Sequence, residues 1–470
     1  MADYLHRAPI GGSTAPGERL TPTLGWPHLL ALGVGAIVGT GILTLIGVGA
    51  DRAGPAVLLS FGIAGLICAC AALAYAELAS TMPQAGSAYT YSYAVLGEIF
   101  AWVVGWSLIL EYSLVVSTVA VGWSGYFSGF MTGIGLPVPL AIAQGPELGG
   151  IVNLPAVLII AVVAGLLLIG TRESARLNTV LVVIKIATLM LFVGVALPAF
   201  DPANLEPFMP FGFGKSVSAD GVERGVMAAA AIIFFAFYGF DAISTAAEET
   251  INPERNLAIG IVGSMIVCTI IYVVVALAAV GALPFGEFAR SPEPLALILR
   301  QLGREEVASV VAAAAVVALP TVLLAFLYGQ SRIFLVMARD GFLPRGLARL
   351  STRGVPARIT IVTAALVAVI AGLLPIDEIA ALANAGTLLA FAAVGLCLLI
   401  LRRRMPDLKR GFRTPAAWIV GPGAIVGCLY LFANLPAKTQ GYFLLWNLIG
   451  LGLYLLYGAR RAAAARGSGL

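Results

Sequence analysis

Charge is scarce in this 470-residue chain: Asp, Glu, Lys and Arg together make up 11% of it, where a soluble domain carries about 25%. Apolar residues take their place at 60%, with a mean hydropathy of +0.97. That excludes an ordinary soluble domain and leaves a polytopic membrane protein. Histidine is scarcer still, limited to His6 and His28, which argues against a metal centre and against imidazole catalysis. The five cysteines, Cys68, Cys70, Cys268, Cys397 and Cys428, all fall within apolar segments and read as helix packing. Cys68-Ala69-Cys70 sends its two side chains well apart around a helix, so a metal clip is not expected. The first 27 residues have no apolar core and contain Pro16, Pro22 and Pro27, which predicts a short polar tail without a cleavable signal.

Basic residues are unevenly spread. Arg345, Arg349, Arg353 and Arg358 crowd one connection, and Arg402–Arg404, Lys409, Arg410 and Arg413 another. The alternate connections keep only Arg52, Lys215, Arg224, Arg290, Arg300, Arg304 and Lys438. By the positive-inside rule both termini are expected in the cytoplasm, with the plasma (inner) membrane as the location. Scattered over short loops, these residues form no nucleic-acid face.

Apolar windows of about 20 residues predict twelve helical spans, near 28–50, 56–80, 97–126, 155–171, 177–199, 226–249, 258–282, 306–338, 359–374, 378–401, 416–434 and 441–458. The first and sixth are interrupted. Gly39-Thr40-Gly41 breaks one and Tyr238-Gly239-Phe240-Asp241 the other, because glycine is the poorest helix former after proline. Irregular backbone survives at membrane depth only where protein buries it or it lines a cavity. A pair of such breaks in corresponding positions marks a transporter's binding site. Twelve spans then divide as five, five and two, and an odd number per half inverts the second repeat. The expected organisation is a cytoplasmic tail over 1–27 and a ten-helix core over 28–401, with repeats at 28–199 and 226–401. Residues 402–470 would carry the last two helices and a cytoplasmic tail.

At the first break, backbone amides and a helix dipole at Gly39, Thr40 and Gly41 suit a carboxylate. At the second, carbonyls around Phe235, Ala236 and Tyr238 suit an ammonium, so the two breaks together would hold a zwitterion. The other reading is that these glycines merely let helices pack closely. Glu111, Lys185 and Asp241 lie deep in apolar spans, where a charge costs about 2.5–3.5 kcal/mol, and are candidates for proton coupling or for static ion pairs. Glu77, Glu248 and Glu249 sit nearer span ends and read as a solvated rim or inner gate. Phe235, beside the break, is the aromatic expected to close over a ligand.

These residues carry a resemblance. GAIVGTGI, PQAGSAYTYSYAVLGE, GWSLILEYSL, FFAFYGFDAISTAAEETINPERNLAIGI and YGQSRIFLVMARDGFLP occur in order across the ten-helix core. With them the chain resembles the APC superfamily of amino acid permeases, and within it the cationic amino acid transporter family. The resemblance implies an all-α, LeuT-like five-plus-five fold with twelve transmembrane helices, alternating access, and proton-driven uptake of L-amino acids. It implies substrate contacts at Ile37, Gly39, Thr40, Gly41, Phe235, Ala236, Tyr238 and Asp241. It also implies proton coupling through Lys185, with Glu111 and Asp241 matching the family's helix 3 glutamate and helix 6 aspartate. On the same resemblance Lys185 would lie near the helix 1 break, where sodium-coupled relatives bind Na⁺, so H⁺ is the expected coupling ion, with no metal and no cofactor. Expected partners are the amino acid and membrane lipid; a small helical subunit is left open. The alternative within transport is an amino acid or amine exchanger. A membrane enzyme is disfavoured by the absence of nucleophile–base or metal-ligand patterns.

Overall fold

The first helix runs Trp26–Ile37 and is entered at Pro27, whose fixed φ and missing N–H suit a first turn. It gives out at Val38, where the backbone is extended, and a short turn, Thr40–Leu43, and a further helix, Leu45–Ala53, carry the chain on. The structure, a computed structural model, describes residues 6, 7, 22, 24–84, 86–169, 175–247, 250–344, 357–458 and 461, without the side chains of 169, 175–178, 332, 335 and 339. Glu248, Glu249, Arg345, Arg349 and Arg353 lie outside the described residues.

The same interruption occurs once more. Helix Val226–Ile233 tightens into a 3-10 turn at Phe234–Phe237, turns extended at Tyr238 (φ −66°, ψ 156°), and restarts as Phe240–Thr245. Gly239 makes the restart possible: its φ of 113° is a conformation that a side chain would strain.

Among the described residues nine helices are long and apolar enough to cross a membrane, and three shorter apolar ones, Trp26–Ile37, Leu154–Leu168 and Ala357–Leu373, accompany them. Among the described residues the strands amount to one antiparallel ribbon pairing Ser216–Val217 with Glu223–Arg224, with an isolated bridge between Leu24 and Thr250. Some boundaries differ from the sequence expectation. Helix Glu98–Gly133 runs on through residues assigned to a connector, and Pro253–Ala282 starts before 258 because Pro253 occupies a first-turn position.

Two further features fix the scaffold. Pro320 separates Glu305–Ala318 from Pro320–Arg339. Proline cannot donate to the carbonyl four residues back, here Val316, and the Trp123 indole N–H takes that carbonyl at 2.9 Å. Helix Ala437–Leu453 is stapled to Glu98–Gly133 by indoles: Trp102 Nε1 donates to Gly450 O (2.8 Å), while Trp106 and Trp446 each donate to the other's carbonyl (2.8 and 3.0 Å). The Trp106 and Trp446 rings stack with centroids 4.6 Å apart. These tryptophans act as interhelix clasps, since a buried indole N–H needs an acceptor.

Candidate functional site

The two helix breaks touch, main chain to main chain. A Cβ added to Gly41 would lie 2.3 Å from Ala236 Cα, and one on Gly239 2.7 Å from the carbonyl carbon of Ala36 and 2.8 Å from Ile37 N. Only glycine allows either approach. Beside the crossing lies a small space lined by Ala36, Ile37, Gly39, Thr40, Gly41, Val115, Val119, Phe235, Tyr238, Val322 and Phe326. Its volume is about 10 Å³, room for a single water. Six of the residues expected from the sequence therefore share one wall: Ile37, Gly39, Thr40, Gly41, Phe235 and Tyr238. Ala236 lies behind Gly41 at the crossing, and Asp241 is set apart from the lining.

Backbone groups released by the breaks follow a pattern. The first hydrogen bonds of the resumed helix are Leu43 N to Gly39 O (3.2 Å) and Thr44 N to Thr40 O (2.9 Å). The amides of Thr40, Gly41 and Ile42 precede them, as at any helix start. The Thr40 hydroxyl is fully buried and has no hydrogen-bond partner among the described residues. Carbonyls around the breaks are claimed by distant side chains. Tyr272 OH donates to Ile37 O (2.7 Å), Tyr126 OH to Leu43 O (2.6 Å), and Asn384 Nδ2 to Ala231 O (2.6 Å) and Ile232 O (2.9 Å). Asn384 is not among the residues singled out from the sequence. A lone amide in the apolar stretch ALANAGTLLA was the signal available.

The buried charges divide. Lys185, 4% exposed, donates to Gly35 O at 2.8 Å and Thr321 Oγ1 at 3.1 Å. The first of these is a carbonyl near the end of Trp26–Ile37, where the helix dipole favours a cation. The Thr321 hydroxyl in turn donates to Ala318 O (2.7 Å), beside the Pro320 interruption. Asp241 accepts from Tyr112 OH (3.0 Å) and from the Gly239 amide (3.2 Å), at the start of the resumed sixth segment where an acid is favoured. Glu111 is buried against helix Ile376–Arg404, and its Oε2 has no hydrogen-bond partner among the described residues.

Glu77 departs from the solvated rim expected of it. It is 0% exposed and forked by Arg402, whose Nε and Nη2 lie 2.7 and 2.6 Å from its two carboxylate oxygens. The Thr414 amide donates to it at 2.8 Å. Arg410 Nε stands 2.9 Å from Oε1 as an ion pair, without hydrogen-bond alignment. Two arginines of the cationic connection, read from sequence as topology signals, thus close over one carboxylate. Among the described residues no group of three or more His, Cys, Asp or Glu gathers to hold a metal.

Comparison with known proteins bears on what such a site does. A family model described as amino acid permease matches residues 24–457. The branched-chain amino acid permease BcaP of Bacillus subtilis (strain 168) is 44% identical over 455 residues, covering 96% of each chain. The methylthioribose transporter of the same organism is 39% identical over 468 residues, covering 98% of this chain and 99% of its own. Cationic amino acid transporter 4, vacuolar, of Arabidopsis thaliana is 36% identical over 83% of this chain and 65% of its own length. The family and these relatives are permeases and transporters, not enzymes.

Proposed function

We propose a transport role from one premise: the chain belongs to the amino acid permease family. The reading is a secondary active transporter that takes up L-amino acids across the plasma (inner) membrane by alternating access, with proton symport as its energy source. Its frame would be the LeuT-like five-plus-five repeat of twelve spans, both termini cytoplasmic. One observation carries the site: the backbone opens at Val38–Thr40 and at Tyr238–Gly239 beside one small space, with the Thr40 hydroxyl at its edge unpartnered among the described residues. Gly39, Thr40 and Gly41 would hold the substrate carboxylate through amides and hydroxyl, and carbonyls near Phe235 and Ala236 the amino group. Phe235 would close over the ligand.

The rest of the lining favours a neutral, aliphatic substrate. Val115, Val119, Val322 and Phe326 offer no carboxylate to a cationic side chain, and a buried cation without a partner is costly. Branched-chain amino acids, which the BcaP relative is named for, match that surface.

Lys185 is the proposed coupling group. Charged, its ammonium binds the carbonyl end of the first half-helix and holds the break closed; on losing its proton it would release Gly35 O. Glu111 and Asp241 are the further candidates for carrying the proton, Glu111 because its buried Oε2 lacks a hydrogen-bond partner among the described residues. Sodium is the less favoured coupling ion, since the Lys185 ammonium sits at that half-helix end.

The test is thermal stabilisation of purified protein against the twenty amino acids, agmatine, polyamines and methylthioribose, followed by uptake into proteoliposomes. Leucine, isoleucine or valine should stabilise, and accumulate only with an inward proton gradient. Equal uptake with and without the gradient would remove proton coupling, and uptake that needs substrate inside the vesicle would select the exchanger. Stabilisation by methylthioribose alone would remove the amino acid.

A further inference from the structure

We infer that Asn384 is a positioning residue for this site: by holding the Tyr238 hydroxyl, it fixes the aromatic wall against which a substrate side chain rests. Asn384 stands on helix Ile376–Arg404, is 0% exposed, and is not itself part of the lining. The inference rests on the reading that the space at the crossing takes the amino acid.

Its amide is committed at both ends. Nδ2 donates to Ala231 O at 2.6 Å and to Ile232 O at 2.9 Å, in the last turn of Val226–Ile233. Two carbonyl partners require the NH₂ end to face them, so Oδ1 is left as an acceptor, and the Tyr238 hydroxyl donates to it. One side chain on another helix therefore grips the helix before the break and the residue at the break itself.

Tyr238 is where that grip matters. Its backbone is extended between the 3-10 turn and Gly239, so no helical ladder orients it. Its ring packs against Phe235 with centroids 5.0 Å apart and against Phe234 at 5.7 Å, and Tyr238 and Phe235 together line the space. A phenylalanine would supply the same apolar surface. The hydroxyl contributes orientation: a buried O–H must find an acceptor, and Asn384 Oδ1 supplies it.

Four proteins decide the matter: wild type, Tyr238→Phe, Asn384→Ala and the double variant, each assayed in proteoliposomes for leucine uptake alongside apparent Tm. Tyr238→Phe should raise KM about tenfold, the scale of one buried hydrogen bond, with Vmax changed less than about twofold. Asn384→Ala should raise KM at least as far, and adding Tyr238→Phe to it should raise KM no further, because the second change removes a hydroxyl that has already lost its bond to Asn384. A purely structural asparagine would lower Tm without this KM pattern. Unchanged KM in Tyr238→Phe, or effects that multiply in the double variant, overturns the inference while leaving the transport reading intact. Wild type that no neutral L-amino acid stabilises overturns both. Should Asn384→Ala not fold, KM of Tyr238→Phe decides alone.

Discussion

Glu77 and Lys185 are both ionisable, both buried within apolar helices, and held in opposite ways. Glu77 is saturated: a forked arginine, a second arginine and a backbone amide surround it. Lys185 donates to two neutral oxygens, the Gly35 carbonyl at a helix end and the Thr321 hydroxyl. Glu77 is held from every side, whereas the Lys185 ammonium rests on a helix end, which it would leave in the proposed coupling step. Burial makes a charge expensive in both cases; in the proposed mechanism the partners decide whether it is a fixture or a moving part.

The largest effect should come from breaking the fixture. Glu77→Ala leaves Arg402 and Arg410 buried without their carboxylate, a loss of about 3–5 kcal/mol, a large share of a typical stability of about 5–15 kcal/mol. Apparent Tm and the yield of folded protein in detergent should both fall sharply. Replacing both partners, Glu77→Gln with Arg402→Met, should recover part of that loss, because no forked cation is then stranded. An unchanged Tm in Glu77→Ala would erase the contrast.

Lys185→Ala should do the reverse. Tm should move less than in Glu77→Ala, while leucine accumulation driven by a proton gradient should disappear. Undiminished accumulation would make Lys185 a fixture too. The smallest effect belongs to a charge at the surface. The Arg224 guanidinium, hydrogen-bonded at 2.7 Å, holds the Asp220 carboxyl down at about 2. A depressed pKa contributes stability above the ordinary carboxylate range, and that contribution is lost as pH falls through about 2. Between pH 5 and pH 8 Asp220→Asn should therefore lower Tm slightly and by a constant amount, because exposed pairs contribute little. A difference that grows between those two pH values would contradict this assignment.

What the sequence made legible was local. Gly39 and Gly239 announce interrupted helices because backbone preference is carried by the residue itself, and hydropathy announces spans because each is a continuous run. What it hid was pairing across distance. Nothing near Glu77 in the chain foretells Arg402 or Arg410, so a buried clasp reads as a solvated end. Trp123 completes the carbonyl freed by Pro320, and Asn384 completes those before Tyr238. In both, the need is written at one position and its satisfaction at another, and a single sequence does not connect them. The helix Glu98–Gly133 overran its expected end because its last turns, FSGFMTG, mix apolar residues with glycine, serine and threonine, so neither hydropathy nor propensity marks where it stops.

A search for inhibitors that treats the crossing of the two breaks as a rigid lock will find no key, since the hollow admits one water. Compounds acting there must arrive while the halves are parted, so their association rates should report how often the protein breathes. A bulky one that wedges between Gly41 and Ala236 would leave the machine jammed ajar rather than shut.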